Sequence, residues 1–222
     1  MNSFNWDGIA SLFIACIEIL LLVNLLIFSE KNRINILIYI IVALLSGYQV
    51  FEFLICSLGI DSSFTAYLAF ADISFLSPLN LLLILFIIKL DSKLNYLLFL
   101  PAIFFVFYYL LMVEKFAVVQ CTVFYATYNY PLGDLYGFFY YLPVLLSFLF
   151  LMKKKKKINS KQFSILLFAH LFIMIPVIAG FSLLYLNLPG LVKSMESILC
   201  KFAFGYAVAL SIFCIRNKSE IK

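Results

Sequence analysis

Residues 64–88 read FTAYLAFADISFLSPLNLLLILFII. The stretch is long enough to cross a hydrocarbon core of about 30 Å as a helix. Yet it carries Asp72, Ser77, Pro78 and Asn80. A carboxylate in hydrocarbon is costly unless it faces protein, water or a partner. The segment therefore has to face inward, with other helices packed around it.

Working outward, six more apolar runs of comparable length appear. The seven segments are 8–28, 34–58, 64–88, 94–113, 135–152, 163–186 and 191–215. The fifth is the shortest and can borrow Gly133 and Asp134. The chain is 65% hydrophobic and 12% charged, whereas soluble domains run near half apolar and a quarter charged. This composition predicts an all-α integral membrane protein, a single seven-helix bundle with no soluble domain of ordinary size. The first run has no basic stretch before it and no small-residue cleavage site after it, so it reads as a retained helix. There is no heptad pattern and no internal repeat of the kind many transporters show.

Charge orients the bundle. Thirteen of the 16 basic residues lie after segments one, three, five and seven, including Lys153 to Lys157. The positive-inside rule then places the N-terminus outside and the C-terminus in the cytoplasm of a bacterial-type membrane. The net charge of +5 is a topology signal directed at anionic headgroups and does not point to nucleic acid. The five cysteines include no CxxC pair. Only Cys121 reads as extracytoplasmic, so no structural disulfide is expected. Loop 114–134 is rich in Tyr and Phe and reads as a lid on the outer surface. Pro101 opens segment four, while Pro143 and Pro176 interrupt helical hydrogen bonding in segments five and six.

Ionisable groups inside the membrane are functional candidates. At 1.5 Å per residue, Glu18 lies about 15 Å from the outer end of its segment, Glu52 about 9 Å, Asp72 about 12 Å, Glu196 about 8 Å and Lys201 about 15 Å. Gln49, Glu52 and Cys56 share one helical face, as do Ser194, Ser197, Lys201 and Gly205. We read Glu18, Gln49, Glu52, Asp72, Asn80, Glu196 and Lys201 as candidate ligand-binding residues around an outward-opening polar cavity. Lys201 would form its floor. Four carboxylates against one ammonium cannot all be charged in low dielectric. The competing account is structural: buried pairs that fix helix register, or groups that snorkel to the interface. Glu196 fits that account better, and Asn80 and Ser77 suit interhelical hydrogen bonding. His170 is the sole histidine and reads as a packing residue, because a histidine-based catalytic metal site needs two or three imidazoles. No serine elbow, aspartyl-protease pair or P-loop appears, so the expectation is a protein without enzymatic activity.

Two family resemblances follow from these residues. Gly47-Tyr48-Gln49-Val50-Phe51-Glu52 precedes Phe70-Ala71-Asp72-Ile73-Ser74-Phe75-Leu76-Ser77-Pro78-Leu79-Asn80-Leu81. Later come Ile175-Pro176 and then Phe202-Ala203-Phe204-Gly205 leading to Arg216. In order and spacing this resembles the seven-helix N-terminal sensor module of bacterial histidine kinases. It is also similar to small bacterial seven-helix proteins with Gln-x-x-Glu on helix two and Ser-x-x-Cys-x-Phe-Ala on helix seven. Here those are Gln49 with Glu52, and Ser197, Cys200, Phe202 and Ala203. The resemblance implies a receptor or sensor that binds a small ligand. With no kinase domain after Ile215, its signal would pass to a separate cytoplasmic or membrane partner.

The second resemblance is to microbial rhodopsins. It rests on Asp72 six residues before Pro78, on Lys201 followed by Phe204-Gly205, and on Phe172 with Pro176. It implies retinal on Lys201. The sequence departs from that pattern at Ala69, at Ser197, and in having Trp6 as its one tryptophan. The expected function is therefore a receptor-like membrane protein. A small secondary transporter or proton-coupled permease is the first alternative, and a retinal protein the second.

Overall fold

A computed structural model describes residues 6–186 and 189–217; for residues 184 and 189–197 it describes the backbone alone. The elements run α1 (Ile9–Phe28), α2 (Arg33–Cys56), α3 (Ser63–Ser74) and α4 (Leu76–Ile87). A 3-10 turn (Lys93–Phe99) leads into α5 (Leu100–Leu111). Strands β1 (Ala117–Cys121) and β2 (Ala126–Asn129) precede α6 (Gly133–Lys153), α7 (Ser160–Tyr185) and α8 (Pro189–Arg216). Among the described residues, seven helical spans are long and apolar enough to cross a membrane, with α3 and α4 counted as one.

The α3–α4 span carries Asp72, Ser77, Pro78 and Asn80. In its most apolar stretch 67% of residues are buried, against 17–56% in the other six. Ser74, Ser77 and Asn80 point into protein. The span is broken at Phe75, where one continuous helix was expected. Two local causes act together. Pro78 has no N–H to offer the carbonyl of Ser74, and the Ser74 hydroxyl takes the carbonyl of Phe70 at 2.8 Å, a contact that bends helices. In the span that follows, Pro101 sits in the first turn of α5, where a missing N–H costs little. Helices α6 and α7 run through Pro143 and Pro176, and α6 does begin at Gly133.

Helix α2 packs against α1, α3, α4 and α8, and α7 pairs with α8. The main core lies between them, with Ile38, Val42, Leu83, Ile84 and Leu210 fully buried. A separate aromatic cluster fills the end of the bundle near α3, α5 and α6. Its hub is Phe70, whose ring centroid lies 4.3 Å from Tyr136, 4.6 Å from Tyr130 and 5.0 Å from Tyr109.

The loop between α5 and α6 is not purely a coil. It folds into an antiparallel hairpin, β1 on β2, with an irregularity between Val118 and Gln120. The hairpin turn docks on the start of α1, where the Gly8 N–H donates to the Thr122 carbonyl at 2.9 Å and the Ala10 N–H to Val123 at 3.4 Å. Gly8 offers no side-chain cap, so the hairpin supplies acceptors that a capping residue normally would.

A disulfide joins Cys121 to Cys56, with Cα atoms 5.5 Å apart. This corrects the sequence expectation of no structural disulfide. Cys56 is the last residue of α2, so it emerges at the helix end where the folded loop crosses. Gly8 has φ +74°, and a Cβ there would stand 3.0 Å from the Cβ of Cys56. Alanine at Gly8 would meet both the left-handed backbone and the disulfide. We expect Gly8→Ala to lower stability by at least about 1 kcal/mol, read as a drop in unfolding midpoint in detergent.

At the opposite end, the α1–α2 turn grips the end of α8. Asn35 is fully buried. Its amide nitrogen donates to the Glu30 carbonyl at 2.8 Å, and its Oδ1 accepts from the Asn217 side chain at 3.0 Å.

Candidate functional site

Four of the residues singled out in the sequence converge at the hairpin end, where α1, α2 and α8 meet. Lys201 enters from α8. Its Nζ lies 2.9 Å from Glu52 Oε1 and donates to Ser11 Oγ at 2.7 Å and to Gln49 Oε1 at 2.7 Å. An ammonium has three N–H donors, and all three find acceptors here. Gln49 is fixed in turn, because its Nε2 donates to the Cys200 carbonyl at 3.0 Å. Local sequence explains the convergence. Gln49 and Glu52 are three apart, and Ser11 and Glu18 seven apart, so each pair shares a helical face. Ala15, almost fully buried between Ser11 and Glu18, leaves room for α8 to approach.

The cluster is withdrawn from solvent. The Glu52 side chain is 0% exposed and that of Lys201 13%. Glu18 is also 0% exposed, within reach of the Lys201 charge. Neither of its carboxylate oxygens has a hydrogen-bond partner among the described residues. The Tyr48 hydroxyl stands between Glu52 and Tyr128 of β2, which connects the ion pair to the hairpin. Burial beneath the hairpin raises the Tyr128 hydroxyl far above the ordinary tyrosine range, and the Glu52 charge pushes it in the same direction.

Asp72 does not join this cluster. Its Oδ1 would lie 3.1 Å from a Cβ on Gly47, so it packs where that glycine leaves space on α2. Gly47 faces away from Gln49 and Glu52 around the helix. The single cavity expected from four acids is therefore divided by α2 itself. The side chain of Glu196 lies outside the described residues, as do those of Ser194 and Ser197.

Asn80 belongs to a deeper network, consistent with interhelical bonding. Its Oδ1 accepts from the Tyr206 hydroxyl at 2.6 Å, and its Nδ2 donates to Ser147 Oγ at 2.8 Å. His170 Nε2 lies 3.2 Å from the same Ser147 oxygen. Its Nδ1 is 2.9 Å from the Leu166 carbonyl, which requires the proton on Nδ1. The network links α4, α6, α7 and α8. The sequence reading missed Ser147 and Tyr206. The available signal was one polar residue at similar depth on each of several apolar helices.

Several cavities border these groups among the described residues. A small one of about 50 Å³ lies between the hairpin and the helices, lined by Tyr48, Phe70, Tyr128, Tyr130, Tyr136 and Tyr140 among others. It has room for water or a small ion. A wider groove of about 680 Å³ runs along α7 and α8 past Phe168, Phe172, Phe204 and Gly205, with Lys201 at its edge. Retinal does not fit the arrangement. A Schiff base keeps at most one N–H, which would strand two of the three acceptors now served by Lys201. Asp72, the expected counterion, lies across α2. The Phe172 ring also fills the space beside Gly205, 2.5 Å from where a Cβ would sit. Among the described residues no group of three or more His, Cys, Asp or Glu side chains converges as metal ligands.

Comparison of the chain with protein-family models, curated proteins and solved structures gives no match.

Proposed function

We propose that the chain is a multi-pass, receptor-like membrane protein, with its N-terminus outside and its C-terminus in the cytoplasm. A small ligand enters from the outer side beneath the hairpin and binds beside the Lys201–Glu52 pair. The observation that carries this reading is the buried cluster of Lys201, Glu52, Gln49 and Ser11 under a hairpin that is tied to the same helix as Glu52. Aromatic walls and one buried ion pair suit a small polar ligand or cation. Helix α8 carries both Lys201 and the Asn217 end gripped by Asn35, so it offers a continuous route from the cluster to a partner at the basic cytoplasmic face.

The test uses a C-terminally tagged chain, extracted gently from its own membrane and examined by native mass spectrometry. We expect a bound small molecule whose occupancy falls at least about tenfold in Glu52→Gln, equivalent to about 1.4 kcal/mol. A bare protein with no co-purifying molecule or partner would count against the receptor reading. A second reading, a proton-coupled permease, is favoured by the unpartnered Glu18 carboxyl. It predicts solute uptake into proteoliposomes that dissipates a pH gradient and is lost in Glu18→Gln.

A further inference from the structure

We propose that Glu18 is a proton-binding site: a neutral carboxylic acid, enclosed between α1, α2 and α8, that holds the proton left over by the charge balance of the Lys201 cluster. The argument starts from geometry. Glu18 is 0% exposed, and among the described residues neither of its oxygens has a partner. The groups that act on it from a neighbouring helix are Lys201 and the Cys200 thiol on α8, and Glu52 on α2 is linked to it through their shared neighbour Lys201. Lys201 is the cation of the set, and its three N–H donors are directed at Ser11, Gln49 and Glu52. None is left for Glu18.

One ammonium balances one carboxylate, and Glu52 occupies that role at 2.9 Å. An ionised Glu18 would be a second negative charge with no hydrogen bond and no exposure, which low-dielectric surroundings penalise heavily. A proton on the carboxyl group removes that charge. The same balance makes the proton transferable. Movement of Lys201 from Glu52 toward Glu18 would give Glu18 a counterion and pass the proton to Glu52, which is then buried without one, so the carboxyl that holds the proton reports the position of α8. The protonation itself stands apart from the receptor reading; only its use by a ligand rests on that reading.

Infrared spectroscopy of the purified, ligand-free protein in detergent at neutral pH tests this. The wild-type chain should show a deuterium-sensitive carboxylic-acid carbonyl band at the high-wavenumber end of its range, where acids without hydrogen-bond partners absorb. The band should disappear in Glu18→Gln with carboxylate intensity unchanged, and persist in Asp72→Asn. Loss of a carboxylate band in Glu18→Gln would overturn the proposal. So would the absence of such a band from the wild-type chain, or an acid band that survives Glu18→Gln and is lost in Glu52→Gln, which would put the proton on Glu52. The wild-type comparison in light and heavy water needs no variant, so the proposal stays open to refutation even if one fails to fold. No ligand is added, so failure here is separate from failure of the receptor reading.

Discussion

Replacing Lys201 by methionine is expected to destabilise the protein by about 3–5 kcal/mol, the usual cost of removing one partner from a buried ion pair. The methionine keeps most of the volume, so packing changes little. What changes is charge. Glu52 is fully buried and loses its ion-pair partner at 2.9 Å. Ser11 Oγ and Gln49 Oε1 each lose a donor at 2.7 Å. Adding Glu52→Gln to Lys201→Met should recover most of the loss, because an uncharged amide can stay buried beside Ser11 and Tyr48. Unfolding midpoints of the four chains in one detergent give the coupling directly. A loss below about 1 kcal/mol in Lys201→Met, the range of exposed pairs, would mean that water reaches the cluster.

The second large effect is expected at the hairpin. Cys56 and Cys121 are 65 positions apart in sequence, and removing a cross-link over such a loop costs about 2–4 kcal/mol. Strands of five and four residues form at best a marginal hairpin alone. This one therefore depends on its docking to α1 and on the bond to α2. The double variant Cys56→Ser/Cys121→Ser should unfold earlier than wild type and become sensitive to protease between β1 and β2. Reductant should shift the wild type by the same amount and leave the variant unmoved. Equal midpoints for the two proteins under oxidising conditions would show that the bond adds nothing to stability.

The helices were legible in the sequence because apolar length is a local property. Seven runs of sufficient length suffice, and neighbouring residues decide each one. The polar residues of segment three were legible for the same reason, since Asn80 and Ser77 have no acceptable surroundings in lipid. What remained hidden depended on rotation and on path. The pairing of Gln49 with Glu52 follows from spacing within α2, but the turn of α1 that brings Ser11 and Glu18 to Lys201 does not. Asp72 was grouped with the other acids by depth, and depth says nothing about which side of α2 it meets; the gap at Gly47 decides that. The disulfide was missed because Cys56 was counted within an apolar run. Its partner arrives only when the 114–134 loop doubles back, and composition does not report that route.

The contact of Gly8 with Thr122 and of Ala10 with Val123 also bears on how the protein is made. Synthesis delivers α1 first, with its leading amide groups unclaimed. The acceptors for those groups arrive only after three further membrane-length spans have left the ribosome. Synthesis of the first helix and its final fastening are thus two separate events in time. Between them the Gly8 end of α1 is open to whatever assists assembly. A nascent chain halted ahead of Thr122 would hold the first helices in place with that end still waiting.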